Sequence, residues 1–226
     1  MSFVPSQPTP RFLAAADAAV VVEFGDAVDE ALSARVLALE AALRRRPPPG
    51  VVETVPTLRS LLVLYDVLVT GHDALVAALR ELVSGPPEAP GGGGAEWSIP
   101  VDYGGEAGPD LEEVAAAAGM SPAATVAAHT GALHRVAMLG HLPGLPYLTG
   151  LPAALGLGRH PEPRVRVAAG SVAVAGGLTC IYPVAAPGGW RIIGRTPARL
   201  FDPAAAPPAV LAPGDRVRFV AVDAAG

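Results

Sequence analysis

Hydrophobic residues recur along this chain with two different periods, and each period predicts a different kind of element. In residues 29–46, Leu32, Val36, Leu39 and Leu43 fall three or four apart, which places them on one stripe of an amphipathic helix. The Arg44-Arg45-Arg46 run suits the negative end of the helix dipole, and Pro47-Pro48-Pro49-Gly50 cannot continue the helix. Leu75, Leu79 and Leu82 predict a second helix over residues 72–83. Around these helices lie β-branched runs. Residues 19–24, ending at the Gly25-Asp26 turn, and residues 51–56 and 60–65 read as strands.

The β-α-β-β-α order over residues 11–85 predicts an α+β fold class that begins with a small ferredoxin-like α/β domain. Residues 86–95 are too rich in Gly and Pro to pack and read as a linker, while residues 1–10 read as a disordered tail rather than a secretory signal. From residue 96 to 226 the pattern changes to short strands with Gly and Pro corners, at 136–139, 171–174, 180–182, 190–193 and 216–220. One helical region interrupts them. Asp110, followed by Glu112 and Glu113, opens a helix that its side chain is expected to cap, and Ser121-Pro122 opens another that runs to His129. The second domain is expected to be a small β-barrel.

Composition narrows the function classes. A chain of 226 residues, 51% hydrophobic, can bury one large core or two small ones. No run reaches the roughly 18–20 apolar residues of a membrane span, so a soluble protein is expected, and the single cysteine and the missing secretory signal fit a reducing, cytoplasmic compartment. A net charge of −5 without a clustered basic face argues against nucleic acid as a partner. All 16 basic residues are Arg, which removes a lysine Schiff base and excludes a P-loop. Cys180 is the single cysteine, so no internal disulfide forms, and no metal site is expected because nothing stands at metal-ligand spacing.

Several phrases carry more than periodicity. Pro100-Val101-Asp102-Tyr103-Gly104-Gly105-Glu106-Ala107-Gly108-Pro109-Asp110-Leu111 and Gly140-His141-Leu142-Pro143-Gly144-Leu145-Pro146-Tyr147-Leu148 are the most specific. In order after them come Ala169-Gly170-Ser171-Val172-Ala173-Val174-Ala175-Gly176, Pro187-Gly188-Gly189-Trp190, Ile193-Gly194-Arg195-Thr196-Pro197, Leu200-Phe201-Asp202-Pro203 and Gly214-Asp215-Arg216-Val217-Arg218-Phe219. Together they resemble the family of 5-oxoprolinase B subunits, also known as allophanate hydrolase subunit 1 or KipI-like carboxyltransferase-domain proteins. The resemblance is weak in the first domain and strong over residues 100–220.

The resemblance implies a cyclophilin-like β-barrel behind the α/β domain. It also implies a B-type component of a heteromeric ATP-dependent 5-oxoprolinase, inactive alone, that turns 5-oxo-L-proline and ATP into L-glutamate, ADP and phosphate. The implied partners are a larger, cyclophilin-like protein of the 5-oxoprolinase C type and a lactam-hydrolysing protein of the A type, with ATP and magnesium reached through the complex and no membrane. Two alternatives stay open. One is a component of a biotin-dependent urea or amide carboxyltransferase, whose biotin carrier would be another chain; the other is a non-catalytic inhibitor of a sensor histidine kinase. Fold alone does not choose among them.

The same resemblance supplies candidate residues. His129 is a catalytic candidate, as general base or carbonyl polariser, or it is a helix-terminal residue that neutralises the dipole. Arg164 and Ser171 are catalytic candidates that would grip a carboxylate or phosphate, set against a solvated surface Arg. Gly140, His141, Pro143, Gly144 and Tyr147 would form a rigid substrate-binding loop with backbone amides turned to an oxyanion, or would only cover the barrel mouth. Arg195 and Thr196 form a candidate anion corner, unless Arg195 pairs with Asp202 or Asp215. From the residues themselves, Glu106, exposed by the glycines of its turn, is a candidate carboxylate of the substrate site, as an acid or a metal-bridging group. Cys180 reads as a small strand residue, and Trp190 and Tyr147 as packing residues that also line the pocket. The resembled family usually carries Phe at the positions of His141 and Leu145, Pro at Ala168, Gln at Leu178 and Gly at Cys180. In this reading the proline and glycine turns close a cup at the barrel mouth, lined by His129 and Arg164.

Overall fold

In the computed structural model the described residues are 8–85 and 94–222. The chain divides into two compact units, Met1–Gly92 and Gly93–Gly226. Most of the expected tail (1–7) and of the expected linker (86–93) lies outside the described residues.

The first unit contains β1 (Arg11–Ala14), β2 (Ala19–Glu23), α1 (Glu30–Arg45), β3 (Val51–Pro56), β4 (Ser60–Tyr65) and α2 (His72–Ser84). Helix α1 begins where its sequence allows a cap: Asp29 Oδ1 accepts the amides of Ala31 at 2.7 Å and Leu32 at 3.1 Å. The sheet runs β1-β2-β4-β3 and every pair is antiparallel. Strand alternation turns Val20, Val22, Leu61 and Val63 to one face. Against that face α1 and α2 bury Val36, Leu43, Leu75 and Leu79, each worth about 1.5–3 kcal/mol of transfer free energy. Strand β1 is an addition to the order expected from sequence; four residues at a sheet edge carry too little alternation to stand out.

The second unit contains β5 (Glu96–Tyr103), α3 (Leu111–Ala118), α4 (Pro122–Gly131), β6 (His134–Leu139), β7 (Pro146–Thr149), a 3-10 turn (Ala153–Leu155), β8 (Arg164–Val167), β9 (Ser171–Ala175), β10 (Leu178–Ile181), β11 (Ala186–Gly188), β12 (Arg191–Arg195) and β13 (Arg216–Ala221). Seven strands close a barrel in the order β10-β7-β6-β13-β5-β12-β9, and β8 and β11 form a separate two-stranded ribbon. Gly176 and Gly177, with φ of +58° and +81°, make the two-residue turn between β9 and β10, a conformation that favours glycine at both positions. Val136, Leu148, Val172, Val174, Ile181, Ile193 and Phe219 are buried together in the barrel core.

Asp215 fastens the one parallel pair of the barrel, β5 with β13. Its Oδ1 accepts the Ala95 amide at 2.9 Å, and its Oδ2 accepts Trp97 Nε1 at 2.9 Å and the Ala212 amide at 3.0 Å. Among the described residues no helix is long and apolar enough to cross a membrane.

Candidate functional site

Neighbouring side chains on a strand point to opposite sides of the sheet, and in the wall formed by β7 and β10 this separates two environments. Leu148 pairs with Thr179, and both face the core, where the Thr179 hydroxyl meets His129 Nε2 at 3.1 Å. Tyr147 pairs with Cys180, so this pair faces the other way. There a cavity of about 220 Å³ opens against the outer wall of the barrel. His141 and Leu145 close one side, Tyr182 and Trp190 join Tyr147 and Cys180, and Pro163 with Pro187-Gly188-Gly189 brings the edge of the β8–β11 ribbon across. Arg159 stands at the rim.

The geometry within this cavity is specific. Tyr147 and Trp190 meet edge to face, with ring centroids 5.7 Å apart and planes at 71°. The Arg159 guanidinium lies 5.9 Å from the Trp190 ring centroid. Gly188 rides directly on the Tyr182 phenol, because a Cβ at Gly188 would stand 2.2 Å from its hydroxyl oxygen. His141 has φ of +67°, a left-handed backbone uncommon for a residue other than glycine and a small store of strain at the cavity edge.

Burial pushes the Tyr147, Tyr182 and Cys180 pKa values up, while the nearby Arg159 charge pulls each back down in part. Both phenols are therefore hydrogen-bond donors at neutral pH, and the Cys180 thiol stays protonated. Cys180 is a wall residue, as its sequence context predicted.

A second polar cluster ties the cavity's cover to the barrel. Asp110 Oδ1 accepts Arg164 Nη2 at 2.6 Å, and its Oδ2 accepts the Ile192 amide at 2.7 Å and lies 3.4 Å from His160 Nε2. Burial raises the Asp110 pKa, but the hydrogen bonds from Arg164 and the Ile192 amide, with the Arg164 charge and the nearby His160 ring, outweigh it and hold the carboxyl below its usual value. Glu113 is paired with Arg191 at 3.1 Å. Asp110, Glu113 and His160 stand close enough together to ligate a cation. Two guanidinium groups already compensate both carboxylates, so a dication would have to displace them.

The expected site residues disperse. His129 is fully buried, with Nδ1 2.8 Å from the Tyr103 hydroxyl, Nε2 engaged by Thr179, and its ring stacked on Phe219 at 4.6 Å. Neither ring nitrogen is left for a substrate, and burial with the adjacent His134 pushes its pKa down to about 3. The general-base reading gives way to a core histidine. Arg164 is taken by Asp110, and the Ser171 hydroxyl is buried without a partner and lies outside the cavity lining. Asp110 holds the N-cap position of α3 but makes no side-chain cap bond, because both its oxygens are engaged elsewhere.

The 140–147 segment is also corrected. The amides of Gly140, Leu142 and Leu145 bond to carbonyls of the same loop, so they do not form an oxyanion cradle. His141 and Tyr147 line the cavity; Gly144 packs on Phe201, and Gly140 and Pro143 are not in the lining. Thr196 is buried, its amide donating to Gly170 and its hydroxyl accepting from Ala198, while Arg195 is exposed and has no acidic partner among the described residues. Glu106 is exposed on the turn after β5. The expected cup at the barrel mouth is replaced by the outer-wall cavity, since the core side chains fill the barrel.

Arg159 and Tyr182 were not singled out by sequence. Arg159 follows Gly156-Leu157-Gly158 and carries no motif, and Tyr182 read only as the end of a strand. His141, Leu145 and Cys180, three of the positions expected from the sequence resemblance to depart from it, line this one cavity.

Residues 10–211 match the family described as carboxyltransferase domain, subdomain C and D. The 5-oxoprolinase B subunit of Bacillus subtilis (strain 168) is 37% identical over 216 residues, covering 91% of this chain and 90% of its own. The protein of the same name from Escherichia coli O157:H7 is 41% identical over 208 residues, covering 90% and 92%. In the crystal structure of TTHA0988 the similar part is 41% identical with a TM-score of 0.79, covering 91% of this chain and 40% of that longer one. With a family match over nearly all of its described length and two relatives matched almost end to end, this chain belongs to the carboxyltransferase-domain family, subdomains C and D, that includes the 5-oxoprolinase B subunits.

Proposed function

We propose that this chain is the B-type component of a heteromeric ATP-dependent 5-oxoprolinase, and that its outer-wall cavity helps to hold the lactam while ATP and water are used to open the ring to L-glutamate. The observation that carries this reading is the cavity itself. It is small and more apolar than polar, with a guanidinium, an imidazole and two phenols among its lining side chains, the usual make-up of a ligand site. Sites for drug-sized molecules run about 300–1,000 Å³, so about 220 Å³ suits a molecule well below the size of a nucleotide. ATP, with its magnesium, then belongs to the sites of partner chains: a larger cyclophilin-like protein and a lactam-hydrolysing one.

The same reading takes the antiparallel order β1-β2-β4-β3, with two helices on one face, as a ferredoxin-like variant in which β1 fills the outer edge position. It takes the closed barrel as cyclophilin-like.

The test is reconstitution. The chain is co-purified with the products of its neighbouring genes, and glutamate release from 5-oxo-L-proline is followed together with ADP formation. ATP-dependent glutamate release by the full complex, absent when this chain is omitted, is the expected result. A complete complex that releases glutamate without forming ADP, or releases none, overturns the reading.

A further inference from the structure

Four tyrosines occur in the sequence, and their hydroxyls fall into two kinds. Tyr65 donates to the Asp17 carbonyl at 3.0 Å, and Tyr103 is bonded to His129 at 2.8 Å. Tyr147 and Tyr182 have no hydrogen-bond partner among the described residues, and these are the two that line the cavity. A phenol that lines a partly apolar cavity without a partner leaves a hydrogen bond to be made by whatever enters.

The arginines nearby divide in the same way. Arg164 is paired with Asp110 and Arg191 with Glu113. Arg159 faces no carboxylate within ion-pair distance among the described residues, yet its guanidinium is held over Trp190 at the cavity rim. A guanidinium is weakly hydrated, stacks on an indole and offers parallel donors that fit a carboxylate. Among the described residues no Asp or Glu lines the cavity, so no carboxylate there competes for the guanidinium. Beside the donors stand the indole of Trp190, which meets Tyr147 edge to face, and Leu145, an apolar surface for a small ring.

We infer that this cavity binds a compact cyclic carboxylate, with Arg159 as the anchor for the carboxylate, the phenols of Tyr147 and Tyr182 as donors to a ring carbonyl, and Trp190 against the ring. The inference rests on the 5-oxoprolinase reading for the choice of ligand and adds what that reading leaves open, the residues that select an acid over its neutral analogue. Arg159 is thereby a specificity residue rather than a catalytic one.

Calorimetry on the purified full chain tests it with two probes, 5-oxo-L-proline and its neutral carboxamide. The acid is expected to bind at least tenfold more tightly than the amide, a difference of about 1.4 kcal/mol. Arg159→Gln should abolish that preference by weakening only the acid, and Arg159→Lys should restore part of it, since charge returns without the planar fork. Tyr182→Phe should weaken both probes alike. Equal affinity for acid and amide, no binding of the acid by the wild-type chain, or an unchanged preference in a folded Arg159→Gln chain each overturns the inference.

The assembled complex separates this failure from failure of the function. A complex that hydrolyses 5-oxoproline with the same KM before and after Arg159→Gln sinks the anchor and leaves the function standing. A chain that selects the acid through Arg159 in a complex without hydrolytic activity does the reverse.

Discussion

Arg164 Nη2 donates to Asp110 Oδ1 at 2.6 Å across 54 residues of chain, and this pair pins the β8–β11 ribbon to the start of α3. The same carboxylate accepts the Ile192 amide and faces His160, next to the rim residue Arg159. One side chain therefore positions three segments around the cavity.

Asp110→Asn is expected to cost about 2–3 kcal/mol of unfolding free energy at neutral pH, less than for a fully buried pair because Arg164 is 33% exposed. The pH dependence has a definite sign. The folded Asp110 pKa lies below that of the unfolded chain, so its stabilisation is complete above the ordinary carboxylate pKa of about 3.9 and is lost as pH falls through the lower folded value. Urea unfolding of wild type and Asp110→Asn at several pH values should show a steeper acid loss in wild type. Parallel acid limbs would disprove the account.

His129 predicts a second pH window. Its folded pKa of about 3 lies below the unfolded value of about 6.5, so the neutral ring's contribution is complete above pH 6.5 and declines as pH falls towards 3. Burial lowers His134 as well, which adds in the same direction. His129→Ala should remove about 3 kcal/mol by leaving a cavity and unpaired hydroxyls on Tyr103 and Thr179, and should flatten stability between pH 6 and 4. Carbethoxylation followed by mass spectrometry should modify exposed His141 in the native chain and spare His129. Ready modification of His129 would contradict its place in the core.

Two glycines of one turn should respond differently to alanine. A Cβ at Gly108 would stand 2.0 Å from the Ile193 carbonyl oxygen, whereas at Gly105, with φ of +50°, nothing lies within 4 Å. Gly105→Ala should cost about 1 kcal/mol of backbone strain, and Gly108→Ala more than about 3 kcal/mol, because the turn must leave β12. Equal denaturation midpoints for the two variants would refute the packing described for this turn.

The phrases that carry the family resemblance are mostly structural in effect. Gly214-Asp215 is there because Asp215 collects three donors at the β5–β13 junction. Gly170 has φ of +81°, and a Cβ on it would meet the Thr196 carbonyl oxygen at 2.3 Å. Residues that hold a barrel closed are fixed by such close approaches, which is why motif membership alone pointed to Ser171, Arg195 and Thr196 while the cavity lies elsewhere.

Local pattern determined the elements of the first unit and the family of the whole. Leucines at helical spacing, an Asp at the cap and alternating β-branched residues act within a few positions of one another, and the ordered Gly and Pro phrases form a signature legible in the sequence alone. Barrel closure decided the rest. Whether Thr179 or Cys180 faces outward depends on the register of β10 with β7 and β9, and a shift of one residue would exchange them. Likewise Asp110 found Arg164, and Arg159 has no acidic partner among the described residues, through contacts between distant segments, and charge pairing of that kind is set by where the chain folds and not by spacing along it.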